Sequence, residues 1–130
     1  MTTKQAAGQD RATTPRGHKQ TASLGQNYPN PFNPDTRIPF SIVGCEGREA
    51  RRIVSLRIYN VLAQLVAVPR LEVSTGPRLA LQRVAMACGD YSAYWDGRVI
   101  LSGRSAASGV YLIELVVDGN RYTRKAVVSR

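Results

Sequence analysis

Histidine is almost absent from this sequence. The one copy, His18, lies in a stretch that has no aromatic residue and no Ile, Leu or Val. That position removes Ser-His-Asp and Cys-His nucleophile arrangements from the rest of the chain. Cysteine is scarce too: Cys45 and Cys88 have no metal-ligand spacing and form no Cys-x-x-Cys pair. A disulfide between them stays open, because pairing depends on geometry that spacing does not supply. No apolar run approaches the ~20 residues that span a bilayer. The first residues hold no apolar core of a secretory signal, so the expected location is the cytoplasm, extending to the cytoplasmic face of a membrane.

Carboxylates are also few, 9 against 18 basic residues. Asp35, Glu46, Glu49, Glu72, Asp90, Asp96, Glu114 and Asp118 are scattered, and no two have a readable reason to face each other across a cleft. Asp90, Asp96 and Asp118 could be brought together as calcium ligands, but acids at turns have a commoner local role. No glycine-rich phosphate loop with a lysine is present. These absences predict a non-catalytic protein with no cofactor, no metal and no small-molecule substrate.

What is there is positive charge, +9 overall, carried by 15 Arg and only 3 Lys. Arginine suits bidentate contact with carboxylates and phosphates and is enriched at protein interfaces. The field predicts an acidic partner: the surface of a larger protein assembly, or anionic lipid headgroups where such an assembly meets a membrane. Nucleic acid is the weaker reading. Only Tyr59 and Tyr122 stand near the basic clusters as exposed stacking candidates, and no recognised nucleic-acid module occurs.

Residues 1–23 form a basic arm. They lack the apolar side chains to offset ordering entropy, so alone they are expected to hold no fixed shape and to order on a partner through Lys4, Arg11, Arg16 and Lys19. Residues 24–130 read as one domain. In a chain of 130 residues, 11 Gly and 7 Pro punctuate too often for long helices. Ile38, Phe40 and Ile42 alternate with polar neighbours, as do Val54, Leu56 and Ile58, and then Tyr111, Ile113, Leu115 and Val117. Each set predicts one buried strand face. Pro39 points to an edge strand or a non-bonded position, and Asp118-Gly119-Asn120 is a strong hairpin signal. About seven short antiparallel strands in two packed sheets, an immunoglobulin-like β-sandwich, are the economical arrangement.

The sharpest motif is the strap at residues 24–36, which contains Tyr28-Pro29-Asn30-Pro31-Phe32-Asn33-Pro34. Its prolines fix φ and discourage helix. Tyr28 and Phe32 are expected to plug one end of the sandwich, the alternative being an exposed docking pair. Trp95 reads as a central core residue, with Asp96-Gly97 turning the chain after it. Gly109 is expected to let a strand start close against a neighbour. Tyr111 is expected to be buried, with its hydroxyl bonded to loop backbone.

The strap, Leu56-Arg57-Ile58-Tyr59-Asn60, Tyr94-Trp95-Asp96-Gly97, Ser108-Gly109-Val110-Tyr111 and Arg124-Lys125-Ala126-Val127-Val128 occur in register. Together they resemble the FlgD-like immunoglobulin-fold family, related to the C-terminal sorting domains of type IX secretion. The resemblance implies a bacterial exported or cell-surface module as the alternative function. Two places depart from the family pattern. Ala63 replaces the usual turn glycine, where a left-handed residue costs roughly 1 kcal/mol, so a rebuilt turn is expected. Val99-Ile100-Leu101 is more apolar than the family's polar loop; exposed, it is a contact patch, and folded under, it is core. With Arg48, Arg51 and Arg52, clustered in one turn, it makes up the expected partner-binding surface of the domain.

Overall fold

Alternating side chains become two antiparallel sheets in the computed structural model, which describes residues 20–47, 49–73 and 78–130. The strands are β1 (Ala22–Leu24), β2 (Thr36–Ile42), β3 (Arg52–Tyr59), β4 (Leu65–Ala67), β5 (Arg70–Leu71), β6 (Val84–Met86), β7 (Gly89–Trp95), β8 (Gly109–Val117) and β9 (Asn120–Val128). One sheet runs β1-β2-β7-β5. The other runs β4-β3-β8-β9, with β6 paired to the start of β3. The described residues thus form nine strands rather than about seven. β1, β4, β5 and β6 are only two or three residues each, too short to leave a period in the sequence, which is where the count departs.

The expected faces meet in one core. Ile38, Phe40 and Ile42 from β2 oppose Val54, Leu56 and Ile58 from β3 and Ile113, Leu115 and Val117 from β8, all at most 3% exposed. Pro39 lies in a central strand, between β1 and β7. Its carbonyl accepts from Gly25 N–H, and both backbone groups of Arg37 bond Tyr28. Residues 37 and 39 therefore aim their polar groups at the β1 side, where the strap leaves the ladder and asks for no N–H from Pro39.

β1 starts at Ala22, two residues ahead of the boundary placed at Leu24. Ala22 is fully buried, and Thr21 N–H and Oγ1 both bond the Tyr122 hydroxyl. Tyr122 is therefore not an exposed stacking surface: it is 1% exposed, facing inward opposite Leu115. The rest of the arm, including Lys4, Arg11, Arg16 and Lys19, lies outside the described residues.

The β8–β9 hairpin closes with Val117 opposite Asn120 and positive φ at both Asp118 (49°) and Gly119 (86°), a type I′ turn. Asp118 does more than turn the chain. Its carboxylate accepts from Ile53 N–H at 2.8 Å and pairs with Arg52 at 2.8 Å, fixing the start of β3.

The β3–β4 turn is not rebuilt. Ala63 adopts φ 63°, and Asn60 Oδ1 accepts from Leu62 and Gln64 N–H, holding the loop around it. Ala63→Gly should relieve about 1–2 kcal/mol of left-handed strain, against about 0.4–1 kcal/mol of added unfolded-chain entropy. A net gain of about 0.5–1 kcal/mol is expected, read as a higher urea midpoint with an unchanged m-value.

Cys45 and Cys88 are joined, with Cα atoms 5.9 Å apart. The register explains the pairing: Ile42 of β2 lies opposite Gly89 of β7, so the residues just past β2 and just before β7 meet.

Candidate docking site

At the end of the sandwich away from the hairpin, the strap, the turn after β7 and the chain end are tied together. Phe32 is buried and meets Trp95 edge-on at 5.2 Å; Trp95 in turn meets Tyr111 at 5.7 Å. Tyr28 does not join them. It is 53% exposed, because its backbone pairs with Arg37 and turns the ring outward. Phe32 is thus the sole plug of the pair. Pro29 and Pro31 are exposed, and the Pro29 carbonyl accepts from Asn27 Nδ2 and Thr36 Oγ1, two buried side chains. Asn30 Oδ1 accepts from Val127 N–H and Asn33 Oδ1 from Arg130, so the strap's asparagines latch it to the last strand.

The Tyr111 hydroxyl donates to Ala107 O at 2.7 Å, and Trp95 Nε1 donates to Arg98 O at 3.0 Å. Gly97 turns the chain at φ 79°, so close to the strap that a Cβ would run into Pro34 O. Arg130 donates to the carbonyls of Ala106 and Gly97. Gly109 serves differently from the expectation. No neighbour crowds it, and its need is conformational, a φ of 148°.

The Val99-Ile100-Leu101 triplet divides. Val99 packs against the core, whereas Ile100 is 54% and Leu101 92% exposed. The loop that presents them is held on several sides. Val99 N–H donates to Arg104 O, Gly103 N–H to Val99 O, Ile100 N–H to Val66 O, and the Arg98 guanidinium to Gly103 O. The exposure is therefore fixed by the loop's own bonding.

Beside this apolar tip opens a cleft of about 440 Å³. Its apolar wall includes Val68, Pro69, Val99 and Ile100, and Arg70, Arg78 and Arg98 line it, with Asp96 as the one carboxylate among the described residues. The guanidinium groups are positioned. Arg78 lies over the Tyr94 ring at 4.9 Å, Arg70 donates to Arg78 O, and Arg98 donates to Gly103 O. Among the described residues the four ion pairs involve Arg37, Arg52, Arg57 and Arg121, not these three. Asp96 instead accepts from the Arg98 backbone N–H. The Tyr94 hydroxyl donates to Asp35 at 2.8 Å. That bond foremost, then burial and the charges of Asp35 and Asp96, raises the phenol above its ordinary pKa of 10.0, against an opposing pull from Arg78. Tyr94 is therefore a neutral hydrogen-bond donor at physiological pH rather than a phenolate.

Of the other basic cluster, the described residues include Arg51 and Arg52. Arg48 lies outside the described residues. Arg52 turns inward, donating to the carbonyls of Val43 and Gly44 and to Asp118. Arg51 donates to the Ala50 carbonyl. Sequence reasoning missed Arg70, Arg78 and Arg98. They are distant in the chain, and only the pairing of Arg70 opposite Tyr94 in β7 brings them to one place. Comparison of the chain with protein-family models, with curated proteins and with solved structures found no match.

Proposed function

We propose that this chain is a non-catalytic, immunoglobulin-like interaction module that docks on an acidic surface of a larger protein assembly. The observation that carries the reading is the rigidly held apolar tip, Ile100 and Leu101, set beside a cleft lined by three arginines. A well-bonded loop that keeps leucine in water exposes apolar area whose burial is worth roughly 25 cal/mol per Å². A partner that covers it, with carboxylates facing the arginines, recovers that energy and gains register from the charges. The immunoglobulin-like part of the proposal is supported by the sheet orders. With β1, β2, β3, β4, β5, β7, β8 and β9 taken as strands A, B, C, C′, D, E, F and G, they read A-B-E-D and C′-C-F-G. The Tyr111 hydroxyl bonding back to Ala107 matches the tyrosine corner at the start of strand F.

The disulfide favours a second reading of where this docking takes place. Such bonds persist in oxidising surroundings and are rare in the cytosol, so Cys45–Cys88 supports an exported or cell-surface module, in line with the family resemblance. A membrane-associated assembly remains a suitable partner from that side.

The docking surface is tested by co-purifying the native protein with its companions under non-denaturing conditions. Ile100→Asp/Leu101→Asp should reduce recovered companions at least about ten-fold, the scale of losing buried hot-spot contacts, while thermal unfolding stays where it was. Unchanged recovery would remove the tip from the interface.

A further inference from the structure

We infer that the arginine cleft receives a linear acidic segment of a protein partner, one that places carboxylates on either side of an aliphatic side chain. The inference rests on the docking proposal above and names what the site takes. Three features of the cleft select this chemistry. The first is charge: among the described residues Arg70, Arg78 and Arg98 share the lining with a single carboxylate, Asp96, which is already engaged by backbone. Guanidinium groups held by a ring face and by carbonyls lose little freedom on binding, and their planar forks match carboxylates in pairs. The second is the wall. Val68, Pro69, Val99 and Ile100 offer an aliphatic surface within the same cleft, which suits a side chain such as leucine between two acids. A volume of about 440 Å³ fits a few side chains rather than a folded surface.

The third feature separates a peptide from a nucleic acid. Single-stranded nucleic acid needs free aromatic faces on which bases stack. The cleft's Tyr94 ring already has Arg78 at 4.9 Å and Arg37 at 5.6 Å from its centre, and Trp95 is buried against Phe32 and Tyr111. Among the described residues, neither aromatic ring that lines the cleft is free of an arginine or of core packing.

The test uses the full chain and a fluorescein-labelled short peptide in which Asp and Glu alternate with Leu, followed by anisotropy. Saturable binding is expected. Arg78→Gln/Arg98→Gln should weaken it at least ten-fold, and Arg121→Gln/Lys125→Gln, which removes the same charge from the other sheet, should change it less than two-fold. A peptide with Asn in place of Leu should also bind more weakly. In the wild-type protein, amide chemical shifts should move at Arg70, Tyr94, Arg98 and Val99 and stay fixed along β9, a readout that needs no variant. Equal weakening by both arginine pairs, shifts spread over β9, or absence of saturation would overturn the proposal. So would tighter cleft-dependent binding of a single-stranded oligonucleotide or of phosphatidylglycerol vesicles. If the peptide fails while Leu101→Asp, outside the cleft lining, still releases native companions, the cleft is not the contact and the interaction module stands.

Discussion

Gly97→Ala is expected to lower the unfolding free energy by about 3–5 kcal/mol, a drop in Tm of more than about 10 °C for a domain of this size. Two effects add at this position. The backbone is left-handed, at φ 79°, and an added Cβ would collide with the Pro34 carbonyl oxygen. Neither partner can yield alone. Gly97 O accepts from Ala106 N–H and from Arg130, while the strap is held by Asn33 to Arg130 and by Phe32 to the backbone at Val127 and Ser129. Gly103→Ala separates the two effects. Its φ is 72°, but nothing lies near its missing Cβ, so it should cost only about 1–2 kcal/mol. Urea melts of the two variants side by side are the measurement. Equal losses would mean that the strap does not press on the turn.

Removing the disulfide should have the second large effect. The bond spans 43 positions, for which chain-entropy arguments give about 4 kcal/mol, and observed losses commonly fall at about 2–5 kcal/mol. Cys88 is exposed and Cys45 half-buried, so Cys45→Ser/Cys88→Ser leaves little cavity and reports mainly the lost cross-link. Dithiothreitol should lower the urea midpoint of the wild type to near that of the double variant and leave the variant unmoved. A wild type insensitive to reductant would contradict the cross-link's role. The same result bears on location, since a domain that depends on this bond is poorly suited to a reducing compartment.

The alternation of Ile38, Phe40 and Ile42, of Val54, Leu56 and Ile58, and of Ile113, Leu115 and Val117 made the inner faces legible, because a period of two maps directly onto one side of a strand. Asp118-Gly119 made the last hairpin legible through its backbone demands alone. What escaped depends on pairing between distant segments. Tyr122 looks like a surface tyrosine among Arg121, Thr123 and Arg124 until the register sets it opposite Leu115 and under Thr21. Arg52 looks like one of three outward arginines until Val43, Gly44 and Asp118 gather around its guanidinium. Cys45 and Cys88 become neighbours only through the β2–β7 ladder, and the cleft arginines only through β5 on β7. The apolar triplet was half legible: composition marked it as unusual, but not that Val99 would anchor while Leu101 projected.

The placement of Thr21 beside Tyr122 and Asn120 sets a distance. The basic segment that precedes Gln20 joins the sandwich at the hairpin end, whereas Arg98, Ala106 and Arg130 gather at the opposite end. A nine-residue strand such as β9 is about 30 Å long. If the proposed cleft contact is joined by one through the segment before Gln20, the span between them acts as a ruler: a partner then has to offer matching sites that far apart before both are engaged at once. When it does, the second contact forms at a high effective concentration, and weak individual contacts give a long-lived complex.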